Sequence, residues 1–350
     1  MLLATPRFWY HRRPSLVARL LQPLGWLYGL GVRWHRRCTR PRRLPVAVVS
    51  VGNITLGGTG KTPLVIALAQ ELQRRGRSVA VLLRGYGAES RRPRMVSYDD
   101  GATLVGDEAL EIQQALPGVS VWVGRDRLAG GAAAISAGAD LLLLDDGLQH
   151  WRLARDCDIS VLDRGHGLGN RLVFPAGPLR EPADQLARAD LLVLSGTDCR
   201  PGGVGLWGSN VDSGLAPPPS GWPALKPCFH LTGWIDPPER LLGEPLLAFC
   251  GIGLPEKFFV ALRQAGLTLA ATVGFPDHHP YAADELERLG HRAEAHGATL
   301  VTTLKDWQRL PDEWAGRVVA LPLVLDTQVV AEIASAALAQ VEITRVGTAL

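Results

Sequence analysis

The residues Val51 to Thr62, VGNITLGGTGKT, form the chemistry-bearing cluster with the clearest spacing in this chain of 350 residues. Gly57, Gly58 and Gly60 can turn backbone N–H groups inward around anionic oxygens. Lys61 can reach terminal phosphates, and the Thr62 hydroxyl can ligate Mg²⁺. The stretch Thr55, Leu56, Gly57, Gly58, Thr59, Gly60, Lys61, Thr62 is therefore expected to cradle nucleotide phosphates. It departs from the usual pattern in two places. Thr55 stands five positions before Gly60, where glycine is standard, and Leu56 occupies the lysine position of the dimeric switch-type ATPases.

A second cluster is Asp145-Asp146, emerging from the apolar run Leu141-Leu142-Leu143-Leu144. A carboxylate there can hold Mg²⁺ directly or through water, the usual partner of a phosphate loop. Gly106-Asp107-Glu108 presents a carboxylate at a helix start, either as a general base or as an ordinary N-cap. Asp277-His278-His279 joins an imidazole to a carboxylate, which fits a tuned base or a solvated loop. Adjacent histidines usually point apart and make a poor metal pair. Lys305-Asp306 is similar in kind.

The elements that must position these groups alternate. Apolar runs at 45–49, 78–83, 119–123, 140–146, 158–162 and 190–194 read as buried strands, with helices at 63–72 and 125–139 between them. Continuous apolar strands alternating with helices imply a doubly wound, mostly parallel α/β sheet of the P-loop NTPase kind, with ligands at the carboxyl ends of the strands. A second, smaller α/β pattern follows: strands at 246–250, 268–273, 299–303 and within 317–325, and helices at 255–265, 282–296 and from 327 to about 339. The expected division is an arm at 1–43, a phosphate-loop domain at 44–199, a Gly/Pro/Ser-rich linker at 200–225 and a smaller domain at 226–350.

A hydrophobic content of 47% with 20% charged residues excludes a disordered chain, and five scattered cysteines at unpaired spacings exclude a disulfide framework or zinc ribbon. Net charge is +3, yet ten arginines and no acid lie in residues 1–43, which leaves an acidic body behind a basic arm. Residues 15–32 are apolar but contain Arg19, Gln22 and Pro23, a poor span. On a helical wheel Arg12, Ser15, Arg19, Gln22, Arg33, Arg37 and Arg40 share one sector, with Leu16, Leu20, Leu24, Leu27 and Tyr28 elsewhere. With Trp9, Trp26 and Trp34 nearby, this describes a membrane-associated helix lying in the interface; a core helix of a soluble domain is the alternative.

Together these motifs resemble the tetraacyldisaccharide 4'-kinases of lipid A biosynthesis. The resemblance runs from the basic arm through Ser50-Val51-Gly52-Asn53, Gly57 to Pro63, Arg84-Gly85-Tyr86 and Gly106-Asp107-Glu108. It continues through Asp145 to His150, Gly177 to Glu181, Gly251-Ile252-Gly253 and Asp277-His278. The missing first glycine of the phosphate loop is usual in that family. The resemblance implies transfer of the γ-phosphate of ATP, with Mg²⁺, to the 4'-hydroxyl of a tetraacyldisaccharide 1-phosphate, giving lipid IVA.

Carried over by motif, Asp107 would be the base, assisted by His278. Thr62, Asp145 and Asp146 would hold the metal. Asn53, Arg84, Tyr86, Glu108, Arg125, Gln149, Arg180 and Glu181 would line the phosphate and acceptor region. Asp107 falls in the first expected domain and His278 in the second, so closure would assemble the site. The implied partners are the lipid A precursor and, through the arm, the membrane surface. No nucleic acid or obligate protein partner is expected, and the implied location is the cytoplasmic face of the inner membrane of a Gram-negative bacterium. The alternative is a membrane-associated P-loop NTPase acting as a switch or assembly factor.

Overall fold

The computed structural model describes residues 6–11, 13–85, 92–197, 222–223, 225–277 and 279–347. Tyr86, His278 and nearly all of the expected linker lie outside the described residues. The described chain forms two compact units. The larger is built on Arg7–Ser195, Leu215–Leu231 and Asp326–Leu350, the smaller on Thr232–Leu325.

In the larger unit the strands are β1 (Ala47–Gly52), β2 (Val79–Leu83), β3 (Arg94–Met95), β4 (Ser120–Val123), β5 (Leu141–Asp145), β6 (Cys157–Asp163) and β7 (Leu191–Thr197). Their spatial order is β7-β6-β1-β5-β2-β4-β3. All pair in parallel except the short edge strand β3. Every residue of β1, β2 and β5 is buried, which is why these strands read as unbroken apolar runs. The carboxyl end of β1 opens between those of β5 and β6, where a sheet of this kind gathers ligands.

The helices of this unit are α1 (Leu16–Cys38), α2 (Lys61–Arg74), α3 (Ala102–Val105), α4 (Asp107–Ala115) and α5 (Arg127–Ser136). The arm is not a separate unit. Helix α1 starts at the Ser15 cap, whose hydroxyl accepts from Ala18 N at 3.2 Å. It buries only Ala18, Gly25 and Gly29. A Cβ on Gly25 would lie 2.8 Å from Val173 O and one on Gly29 3.8 Å from Pro182 Cγ, so small residues let the helix lie close against residues 173–182. Arg33 pairs with Asp184, and Arg36 donates to Gln185 Oε1 at 2.6 Å. The opposite face exposes Leu16, Leu20, Leu24, Trp26, Leu27, Leu30 and Trp34. Among the described residues no helix is long and apolar enough to cross a membrane.

Strand β8 (Cys228–Ile235) carries the chain into the smaller unit, and no sequence signal marked it. There β9 (Pro245–Cys250), β10 (Thr268–Gly274), β11 (Thr299–Thr302) and β12 (Val318–Ala320) form a parallel sheet in the order β10-β9-β11-β12. Helices α6 (Pro255–Gln264), α7 (Ala283–Ala295), α8 (Leu304–Trp307) and α9 (Asp312–Ala315) belong to this unit. Phe258, Phe259 and Leu262 pack with β9 in one cluster, and Leu286, Leu289 and Trp314 with Phe249 in another. Strand β13 (Leu323–Leu325) pairs antiparallel with β8.

Two boundaries differ from the sequence expectation. The sequence pattern places the last helix, α10 (Thr327–Gly347), in the smaller domain, but it packs on α2, β6 and β1 of the larger unit. Arg75 donates to Ser335 Oγ at 2.9 Å and to Ala331 O at 2.8 Å. Buried Asp156 accepts from Val48 N at 2.9 Å and from Arg345 Nε at 3.2 Å, and it also pairs with Arg43. This carboxylate ties Arg43, at the foot of the arm, and Arg345, in α10, to the start of β1, and periodicity in α10 carries no trace of that partner. Trp222, drawn as linker, is buried in the larger unit beside Leu186 and Leu192.

Candidate functional site

The chain turns at the end of β1 into the glycine loop and then into α2. Gly57 and Gly60 both hold positive φ, 108° and 80°, conformations that L side chains rarely adopt. Gly60 is the N-cap of α2, so Lys61 and Thr62 stand in its first turn beside unpaired backbone donors.

Thr55 explains its own departure from the glycine pattern. It is buried and forms an antiparallel bridge with Leu179. Leu56 N donates to Pro178 O at 2.7 Å and Arg180 N to Ile54 O at 2.7 Å. The strap of residues 178–181 pins the start of the loop, and the glycines are needed only where it curls. Asn53, wholly buried, donates to Thr59 Oγ1 at 3.1 Å and Thr55 Oγ1 at 3.3 Å and accepts from Lys61 Nζ at 3.3 Å.

On the β5 side stand the two aspartates. Asp146 has φ 50°, and its neighbour must be glycine: a Cβ on Gly147 would lie 2.8 Å from Leu144 Cβ and collide with Ser50 Oγ. This turn aims the Asp146 carboxylate at Arg180 Nη1, 2.7 Å away, and toward Lys61 Nζ, 3.7 Å away. Arg127 fixes the turn from behind, donating to Asp145 O at 2.6 Å and Asp146 O at 2.9 Å. Gln149 links the parts, donating to Asn53 O at 3.0 Å and Glu181 Oε1 at 2.9 Å, while Arg188 holds Glu181 Oε2 at 2.7 Å.

The two carboxyls are driven apart electrostatically. Burial, then the Glu108 charge, pushes Asp145 up to about 7. Burial would raise Asp146 as well, but Lys61 and Arg180 overcome it and hold that group at about 2. Asp145 Oδ1 and Asp146 Oδ1 are buried with no hydrogen-bond partner. Orphaned carboxylate oxygens beside a phosphate loop are the donor set that Mg²⁺ prefers, and Thr62 is the remaining oxygen in the loop. Burial pushes His150 down to about 4, so it is neutral at physiological pH.

The structure gathers most of the expected residues and leaves some apart. Glu108 acts on Asp145 through its charge, and Arg84 acts on Arg127 in the same way. Gly106, with φ 89°, is the N-cap of α4 and Asp107 its first residue, half-buried. Arg125 is exposed in the loop after β4, and the side chain that reaches the backbone of the aspartates is Arg127, the first residue of α5. Sequence reading missed Arg127, because its partners are backbone carbonyls of a distant turn. It also missed Ser195, whose Oγ donates to Thr59 O at 2.6 Å. The signal for Ser195 was a hydroxyl ending the apolar run of β7.

In the smaller unit, His279 bonds Glu285 Oε2 at 2.8 Å and stacks on Phe275 at 4.7 Å, which anchors its loop. Asp306 is fully buried and closed off by Thr303 Oγ1 at 2.7 Å and Arg309 Nη1 at 3.3 Å. Both are structural.

The sequence pattern described as tetraacyldisaccharide-1-P 4'-kinase matches residues 17–342. Tetraacyldisaccharide 4'-kinase from Methylobacterium sp. (strain 4-46) is 44% identical, covering 92% of this chain and 93% of that protein. The protein of the same description from Paramagnetospirillum magneticum is 41% identical, covering 93% and 94%. The crystal structure of LpxK from Aquifex aeolicus in complex with ATP superposes with a TM-score of 0.71 at 27% identity, covering 93% of this chain and 99% of that one. The chain belongs to the tetraacyldisaccharide-1-P 4'-kinase family.

Proposed function

We propose that this chain is a lipid kinase that transfers the γ-phosphate of ATP to the 4'-hydroxyl of a tetraacyldisaccharide 1-phosphate, giving lipid IVA. The observation that carries the reading is the buried Asp145 Oδ1, which has no hydrogen-bond partner, beside an Asp146 carboxylate turned toward Lys61 of the phosphate loop. The kinase identity of the relatives and the ATP complex of the Aquifex aeolicus protein support it. No observation favours the switch-type alternative.

The loop's N–H groups and the amino end of α2 hold the phosphate chain, and Lys61 neutralises its terminal oxygens. Thr62, Asp145 and Asp146 would hold Mg²⁺, which would supply charge neutralisation to the phosphate chain. Arg180 and Lys61 keep Asp146 ionised for that purpose. Asp107 is the base: its carboxylate takes the 4'-hydroxyl proton as the new oxygen–phosphorus bond forms and ADP leaves with the bridging oxygen's electron pair. By motif, His278 assists it. Arg84, Glu108, Arg125, Gln149 and Glu181 border the phosphate and acceptor region.

The exposed apolar face of α1, with the exposed Arg37, Arg40 and Arg42 at its carboxyl end, is the contact with an anionic bilayer surface at the cytoplasmic face of a Gram-negative inner membrane. The acyl chains of the acceptor then stay in the lipid during transfer.

The test uses γ-labelled ATP, Mg²⁺ and the disaccharide lipid in mixed micelles. Label moves into lipid with wild-type protein, and Asp107→Ala loses most transfer while retaining ATP binding. Release of free phosphate with no labelled lipid would support the switch-type NTPase instead. Full transfer by Asp107→Ala would refute the base assignment.

A further inference from the structure

The loop that carries Asp277 and His278 in the smaller unit is braced on both sides of that pair. It leaves β10 at Gly274 and reaches α7 at Ala283. Pro276 and Pro280 fix φ at either end of the stretch Pro276-Asp277-His278-His279-Pro280. On the incoming limb, Phe275 N donates to Cys250 O at 2.9 Å, which ties the chain to the end of β9. On the outgoing limb, the rings of His279 and Tyr281 close back onto Phe275. His279 stacks on Phe275 with centroids 4.7 Å apart, and Tyr281 stands edge-on to both, at 5.2 and 5.3 Å. Phe249 of β9 backs this cluster, 5.4 Å from Tyr281.

A polar contact completes the brace. His279 Nε2 lies 2.8 Å from Glu285 Oε2, and the same oxygen accepts from Ala282 N at 3.0 Å, closing the start of α7. The Ala282 amide and then His279 hold the Glu285 carboxyl below its ordinary range. An ionised carboxylate only accepts, so His279 donates from Nε2 and its ring is fixed in orientation. A loop joining a strand to a helix needs neither the ring stack nor this bond.

We infer that His279 and Glu285 are positioning residues for the transfer: they clamp the loop to α7 and hold the chain on both sides of His278 for proton handling at the acceptor hydroxyl. The inference deepens the kinase reading and rests on the part of it that gives His278 a share in base catalysis. Neither residue touches substrate. The clamp shows in rate because displacing a catalytic group by about 1 Å can cost on the order of 10²-fold.

The test is steady-state lipid phosphorylation by the full chain, with kcat and KM measured separately for MgATP and for the lipid acceptor. His279→Phe keeps the ring stack and loses the bond to Glu285, so it should fold as wild type and lower kcat about tenfold, with both KM values within about twofold. His279→Gln retains a donor near the Nε2 position and should recover most of that loss. In a His278→Ala background, His279→Phe should cause no further loss, because the residue it positions is gone. An undiminished tenfold loss in that background, a change in KM alone, or wild-type kcat in His279→Phe would each overturn the inference and leave the kinase reading intact. Wild-type kcat in His278→Ala would instead remove His278 from the mechanism, and the inference with it.

Discussion

The molecule contains the same structural unit twice, and only one copy is left open. Both β1 and β9 are central parallel strands, each followed by glycines and then a helix with proline in its first turn. After β1 Gly57 and Gly60 take positive φ, and the nearby buried Asp145 keeps an oxygen with no hydrogen-bond partner. After β9 the glycine answers a packing demand: a Cβ on Gly251 would lie 2.9 Å from Pro276 O, 3.1 Å from His279 Cβ and 3.2 Å from Asp306 Oδ1. The buried carboxylate there, Asp306, has a partner on each oxygen. The difference teaches that a glycine loop is functional where its polar surroundings are unfinished. Where the buried carboxylate beside the loop is satisfied, as at Asp306, the same unit is scaffold.

The comparison can be broken most sharply at Lys61. Lys61→Ala is expected to reduce transfer by about 10³-fold or more, as for loss of a principal charge-stabilising group, with the thermal midpoint unchanged. Activity within tenfold of wild type would place the chemistry elsewhere. Gly147→Ala and Gly251→Ala are each expected to cost about 1–3 kcal/mol by overpacking. Denaturant titration should register both losses, but only Gly147→Ala should weaken MgATP binding, because only that turn carries a ligand-facing carboxylate.

The smallest effect is a pH shift. Asp145 sits at about 7, so the ionised form needed for Mg²⁺ is lost as pH falls through neutrality, and MgATP affinity should fall with it. The Glu108 charge helps to raise that value. Glu108→Gln should therefore move the acid limb of a binding profile to lower pH, and a shift to higher pH would contradict the coupling.

Strands of the larger sheet were legible because burial on both faces leaves unbroken apolar runs such as Leu141–Leu144, and the phosphate loop was legible because glycine, lysine and threonine keep fixed spacing. What stayed hidden depended on distant partners. Arg127 serves carbonyls of a turn 18 and 19 residues away, and nothing in its own helix marks it. The allegiance of α10 is set by Asp156, nearly 190 residues upstream of Arg345. Asp145 and Asp306 both looked like acids at strand ends, and only their partners separate them.

Those two aspartates supply the most direct test. Each is replaced by asparagine, and MgATP binding and thermal stability are measured at pH 8. At that pH wild-type Asp145 is ionised against its burial. Because its folded value lies above the usual 3.8, ionisation opposes folding, and Asp145→Asn removes that cost. The expected result is that Asp145→Asn loses MgATP binding while its melting temperature holds or rises. Asp306→Asn should bind MgATP normally and melt lower by several degrees, because Arg309 loses its buried partner. Intact MgATP binding in Asp145→Asn, together with its loss in a stable Asp306→Asn, would reverse the assignment of the open and closed sites.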